Sequence, residues 1–166
     1  MNALKKIYDR INTTLTVIMA SFLIVATLAI GVQVFTRYVL NFTPPWTEEL
    51  ARYSNIWITM LGIGVVLRRK GHIKLDFLET VLTEKGKLKS KLALDVINTT
   101  VTTIFLTFLV YGGFKILKAA ARQTAPGLQI SLLFIYIAVP IGCLFALLFI
   151  IEQIVDSILR RRERIE

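Results

Sequence analysis

The sequence predicts an all-α integral membrane protein of four transmembrane helices with both termini in the cytoplasm. A short amphipathic cytoplasmic segment is expected between helices 2 and 3. Three observations carry this reading. Of 166 residues, 55% are hydrophobic and only 19% charged, against about 45–50% apolar and about 25% charged in soluble domains. Mean hydropathy is +0.65. Charge is absent from four long runs: 26 positions between Arg10 and Arg37, 15 between Arg52 and Arg68, 19 between Asp95 and Lys115, and 29 between Arg122 and Glu152.

The first span is expected at about 12–36. Lys5, Lys6 and Arg10 precede it, as they would a secretory signal. A signal's apolar region is only about 7–15 residues long and ends at a small-residue cleavage site. This run is longer and ends in Gln33-Val34-Phe35-Thr36-Arg37, so it reads as a retained anchor.

The second span, about 47–69, has too short an uncharged run to cross alone. Its flanks extend it. Pro44 and Pro45 suit a first helical turn. Thr43 or Thr47 suits the N-cap, and Glu48 and Glu49 suit the positive end of the helix dipole. Arg68, Arg69 and Lys70 before Gly71 form a stop signal. One helix from Thr47 to Lys70 is then roughly 36 Å long at about 1.5 Å per residue.

That helix has two distinct stripes. Trp46, Leu50, Tyr53 and Trp57 form an aromatic one. Glu48, Arg52, Asn55, Thr59 and Gly62 form a polar one. Glu48 and Arg52 are four residues apart in the favourable order for an ion pair, and Arg37 can reach either acid from the first loop. Two readings stay open. The stripes form an interfacial aromatic belt with a headgroup-level salt bridge, or the polar stripe packs on another protein, where charges at membrane depth usually face.

The third span, about 96–116, carries Asn98, Thr99, Thr100, Thr102 and Thr103, which suit interhelical hydrogen bonds. The fourth, about 129–151, has Ala138, Gly142 and Ala146 as a small-residue ridge for close packing. Pro140 should kink it, and Cys143 reads as inert packing. The four spans form a single membrane domain, 1–166.

Lys and Arg number 15 in the two tails and the second loop, against 5 in the first and third loops. The positive-inside rule then sets the orientation. In the second loop, Phe77, Leu78, Val81 and Leu82 recur at helical spacing. A short surface helix there would meet membrane lipids, its lysines near anionic headgroups.

Several functions are excluded. One cysteine, Cys143, permits no internal disulfide, paired-cysteine redox motif or thiolate zinc cage. One histidine, His72, permits neither bis-imidazole haem nor a two-histidine zinc site. No metal site, cofactor or enzymatic activity is expected of the chain. The net charge of +9 lies between apolar runs without a nucleic-acid module, so nucleic acid is not an expected partner.

The motifs together resemble a known family. Arg37-Tyr38-Val39-Leu40-Asn41 and Trp46-Thr47-Glu48-Glu49-Leu50-Ala51-Arg52-Tyr53 look like the small membrane subunit of TRAP (tripartite ATP-independent periplasmic) transporters, the DctQ-like subunit. The likeness continues through Leu61-Gly62-Ile63-Gly64 and Gly71-His72-Ile73-Lys74-Leu75-Asp76, and returns in Tyr136-Ile137-Ala138-Val139-Pro140-Ile141-Gly142. Ile130-Ser131 stands where many relatives carry a proline.

The resemblance implies an accessory scaffold in a bacterial or archaeal cytoplasmic (inner) membrane. A periplasmic substrate-binding protein would capture an organic anion of the dicarboxylate or sialic-acid class. A large multispanning subunit would hold the transport path and the sodium sites. The small subunit would brace it and help dock the binding protein. Arg37, Trp46, Glu48, Glu49, Arg52, Tyr53, Asn55, Trp57 and Thr59 would then form an interface or structural motif. Gly71, His72 and Asp76 would form a cytoplasmic one, with His72 and Asp76 spaced to pair on a helix. The spans agree, because the first, third and fourth hold no internal charge for an anion path. The alternative is a self-contained four-helix exporter working as a homodimer. It would need a membrane-embedded acid in its path.

Overall fold

A chain that buries its backbone in lipid must satisfy every N–H and C=O within the segment, which leaves the helix as the spanning unit here. The computed structural model describes residues 2–70 and 88–162, with side chains over 5–68 and 96–155. Gly71, His72, Asp76 and the amphipathic stretch of the second loop lie outside the described residues.

The helices are α1 (Asn2–Val39), α2 (Pro45–Lys70), α3 (Leu88–Ala120), the four-residue α4 (Leu133–Tyr136) and α5 (Ala138–Arg162). Among the described residues, four segments are long and apolar enough to cross a membrane: Lys5–Val39, Pro45–Arg68, Val96–Ala120 and Leu133–Val155. The last combines α4 and α5.

The ends of the helices follow from local chemistry. α1 stops where Asn41 takes a left-handed conformation, φ 51°, which asparagine tolerates better than most residues. The Phe42 N–H then turns back to the Thr36 carbonyl at 3.2 Å. α2 begins at Pro45, two residues before the expected Thr47, because proline at the first helical position sacrifices no hydrogen bond. Thr47 is not the N-cap. It lies inside the first turn, fully buried, and its hydroxyl donates to the Pro44 carbonyl at 2.7 Å.

The fourth span is interrupted in the turn preceding Pro140, where a proline kink is expected. Ile137 separates α4 from α5. Pro140 has no N–H to offer the preceding turn, so helical bonding lapses there and resumes with Ile141 N–H on Ile137 C=O at 3.2 Å.

The helices stand in a row: α1 packs on α2, α2 on α5 and α5 on α3. Between lipid-soluble helices, association depends on close van der Waals fit and polar contacts. Two clusters provide the fit. Leu15, Leu61, Val65 and Phe149 join α1, α2 and α5. Leu106, Cys143, Ala146 and Ile150 join α3 to α5, with Ile63 and Leu67 of α2 against them.

Small residues set the spacing. A Cβ on Gly142 would strike the Met60 backbone, 2.5 Å from its carbonyl carbon, so α2 and α5 touch there without intervening side chains. Ala138 and Ala146 flank Gly142 and are fully buried. Pro140, also buried, packs on Gly113 of α3, where a Cβ would lie 3.0 Å from the proline ring.

Two of the hydroxyls expected to bridge helices in the third span bond within it instead. Thr100 donates to the Val96 carbonyl and Thr103 to the Thr99 carbonyl. A helix at the edge of a row has few neighbours to reach, so a threonine returns its proton to its own preceding turn.

Candidate functional site

Three polar features converge on α2, the helix richest in motif residues. The first is at the end of the molecule away from the termini. Residues 121–132 connect α3 to α4 as a tight hairpin. The Ala125 N–H donates to Ile130 C=O at 2.8 Å and the Leu132 N–H to Gln123 C=O at 2.9 Å. Thr124 and Ser131 form a single antiparallel bridge, and Gln129 takes φ 53°.

Glu49 closes this hairpin. Its Oε1 accepts the Gly127 N–H at 3.0 Å and its Oε2 accepts the Leu128 N–H at 2.9 Å. Gly127 is needed for the approach, because a Cβ would lie 2.9 Å from the Pro45 carbonyl. The neighbouring acids thus separate in role: Glu49 binds the loop, while Glu48 pairs with Arg52 on the surface, each side chain 61% exposed. Arg37 is exposed and forms no salt bridge with either acid.

The second feature is the aromatic stripe, turned into the protein. Trp57 stacks on Phe22 of α1, with centroids 5.8 Å apart and planes 11° from parallel. Its indole Nε1–H donates to the Phe134 carbonyl at 3.2 Å, where the α4–α5 break leaves an acceptor. Leu50 and Tyr53 are half-buried, and Trp46 at the helix start is exposed.

The third feature lies at the end carrying the termini. Arg68 donates to both oxygens of Glu152, Nε to Oε2 at 2.8 Å and Nη2 to Oε1 at 2.9 Å. Nη2 also donates to Asp9 at 2.7 Å. The guanidinium carbon sits 5.5 Å from the centre of the Phe149 ring, within reach of a cation–π contact. α1, α2 and α5 are thereby tied by one cation. The sequence reading missed this cluster. Its signal was one unassigned acid beside the first span, Asp9, and one ending the fourth, Glu152, at the depth of Arg68.

The polar stripe of α2 is the part left uncovered. Glu48, Arg52, Asn55 and Thr59 are all exposed, on a narrow ridge that continues through half-covered Gly62 to exposed Val66. Thr59 spends its hydroxyl on the Asn55 carbonyl at 2.8 Å. The structure therefore separates the predicted motif. Glu49, Tyr53 and Trp57 are turned inward, Trp46, Glu48, Arg52, Asn55 and Thr59 outward, and Arg37 stands apart from both. Ala138, Pro140, Gly142 and Ala146 belong to the helix packing described above.

Comparison with known proteins identifies this arrangement. The chain is 28% identical over 155 residues to the sialic acid TRAP transporter small permease protein SiaQ of Vibrio cholerae, covering 93% of this chain and 85% of that protein. It is 38% identical over 53 residues to the sialic acid TRAP transporter permease protein SiaT of Haemophilus influenzae, covering 32% of this chain but only 9% of that much longer protein. It is 28% identical over 99 residues to the isethionate TRAP transporter permease protein DctMQ of Oleidesulfovibrio alaskensis, covering 58% of this chain and 15% of that one. Residues 24–160 match the family described as tripartite ATP-independent periplasmic transporters, DctQ component. With its four membrane-spanning helices and that match over most of its length, the chain belongs to the DctQ family of TRAP transporter small permease subunits and is not an enzyme.

Proposed function

We propose that this chain is the accessory membrane subunit of a sodium-driven, binding-protein-dependent importer of an organic anion, and that it braces the large permease through the exposed ridge of α2. One observation carries the reading: the uncovered line Arg52, Asn55, Thr59. In lipid, an exposed carboxamide on a spanning helix lacks partners that a second protein would supply. α2 therefore gives its inward side to its own fold and its polar side to the large subunit.

The relatives support the partnership. SiaT and DctMQ contain stretches similar to this chain within far longer permeases, so a continuous polypeptide can carry both elements. The sialic acid and isethionate named for the relatives support an organic anion as substrate. On this reading the large subunit holds the transport path and the sodium sites. The chain, on this reading, sits in the inner membrane with both termini cytoplasmic, an orientation supported by the excess of Lys and Arg in the tails and second loop. The hairpin held by Glu49 then faces the periplasm, where it offers a rigid surface for docking the substrate-binding protein.

The test is co-expression with the large permease of the same transporter. Asn55→Leu with Thr59→Val should leave the isolated chain folded, while reducing both recovery of the large subunit and sodium-dependent uptake. Arg52→Ala and Glu48→Ala should weaken assembly in the same direction. Normal assembly and uptake in all of these variants would remove α2 from the interface.

A further inference from the structure

The start of α1 carries a second polar feature, which runs from Asp9, at the edge of the α2 contact, round to the outward face. Lys6, Asp9, Arg10, Thr13 and Thr14 line a shallow depression of about 380 Å³ at the start of the span. All five are exposed. Lys6 and Arg10 have no carboxylate within salt-bridge distance among the described residues, while Asp9 turns one oxygen to Arg68, which it shares with Glu152. Thr13 spends its hydroxyl proton on the Asp9 carbonyl at 3.0 Å, whereas Thr14 makes no side-chain hydrogen bond within the described residues.

The same face becomes apolar deeper in the span. Val17, Ile24 and Leu28 are exposed on it, roughly opposite the inward line of Tyr8, Leu15 and Met19, since each residue turns the helix by about 100°. Ser21 lies between them with its hydroxyl turned back to the Val17 carbonyl. Two cations without a carboxylate partner among the described residues, and a hydroxyl, above a hydrocarbon stripe match an anion carrying an acyl chain.

We propose that this face of α1 binds one anionic phospholipid, with Lys6, Arg10 and Thr14 around the phosphate and an acyl chain along Val17, Ile24 and Leu28. Lys6 and Arg10 lie on the outward side of α1, beyond the Asp9–Arg68 contact and apart from the α2 ridge. The site therefore stands whether or not that ridge contacts the large subunit.

The experiment uses the full chain in mild detergent, titrated with dioleoylphosphatidylglycerol or dioleoylphosphatidylcholine and followed by native mass spectrometry. Wild type should retain one phosphatidylglycerol at a concentration about 10- to 30-fold lower than Lys6→Gln/Arg10→Gln requires, two basic residues being removed. Lys6→Arg/Arg10→Lys should bind as wild type, and so should Lys115→Gln/Lys118→Gln at the other end of the molecule. Thermal unfolding of each variant checks that the fold is intact. Equal retention of phosphatidylglycerol by wild type and Lys6→Gln/Arg10→Gln would overturn the proposal. Equal retention of phosphatidylcholine, or equal loss in the Lys115/Lys118 variant, would do so too.

Discussion

Glu49 and Gly127 are 78 residues apart in sequence and in direct contact: the glutamate Oε1 accepts the glycine N–H at 3.0 Å. A Cβ on Gly127 would lie 3.0 Å from the Glu49 carboxyl carbon. The missing side chain at Gly127 thus leaves room for the Glu49 carboxylate and the Pro45 backbone.

This contact separates two adjacent acids by experiment. Glu49→Gln replaces one acceptor oxygen with a donor facing a donor. It should destabilise the chain by about 2 kcal/mol, within the range for hydrogen bonds to a charged group. Glu48→Gln removes only an exposed ion pair and should cost under about 1 kcal/mol. Denaturant titration in detergent micelles, followed by circular dichroism, measures both.

Glycine-to-alanine substitutions should divide in the same way. Gly142→Ala forces α5 off the Met60 backbone, and overpacking of this kind costs about 1–3 kcal/mol. Gly31→Ala and Gly112→Ala meet nothing within 4 Å and should be neutral or slightly stabilising. Melting temperatures of the three variants decide it. A Gly142→Ala chain as stable as wild type would mean that the α2–α5 approach is looser than described.

Arg68→Ala should be among the most damaging single changes. The arginine side chain is 16% exposed and Glu152 is 19% exposed, so truncation strands a largely buried carboxylate at a cost of about 3 kcal/mol. Lysine should not restore the loss, because it cannot make the two-pronged contact. Asp9→Asn should cost far less, since Asp9 is 59% exposed. Cysteine cross-linking between the ends of α1 and α5 would report whether the helices separate in the Arg68 variant.

Trp57→Phe keeps the ring against Phe22 but removes the N–H that reaches Phe134. Loss of that one bond should cost about 1 kcal/mol. Trp57→Ala removes the stack as well and should cost clearly more. Amide exchange near Ile137 gives an independent reading, with faster exchange expected in both variants.

The spans were legible because charge marks their ends. Arg10 and Arg37 bracket an uncharged run that forms most of α1, and Arg122 and Glu152 bracket α4 with most of α5. The Glu48–Arg52 pair was also legible, being a matter of spacing along one helix. What Glu49 does was not. Its partners are backbone N–H groups 78 and 79 residues away, and main-chain donors carry no sequence signature. The interruption at Ile137 was legible from Pro140, which withholds an N–H from the preceding turn. The Trp57 indole that reaches the Phe134 carbonyl from 77 residues away was not.

With the α2 ridge packed on the large permease as proposed, the same ridge sets a condition on synthesis. A copy made without its partner would hold Asn55 against hydrocarbon for as long as it remained alone. Such orphan copies would be the ones that membrane proteases remove. The cellular abundance of this chain would then follow that of the large permease, whatever the relative rates of translation. In longer relatives such as SiaT and DctMQ, where a similar stretch lies within the permease itself, each ribosome delivers that stretch and the rest of the permease in equal number.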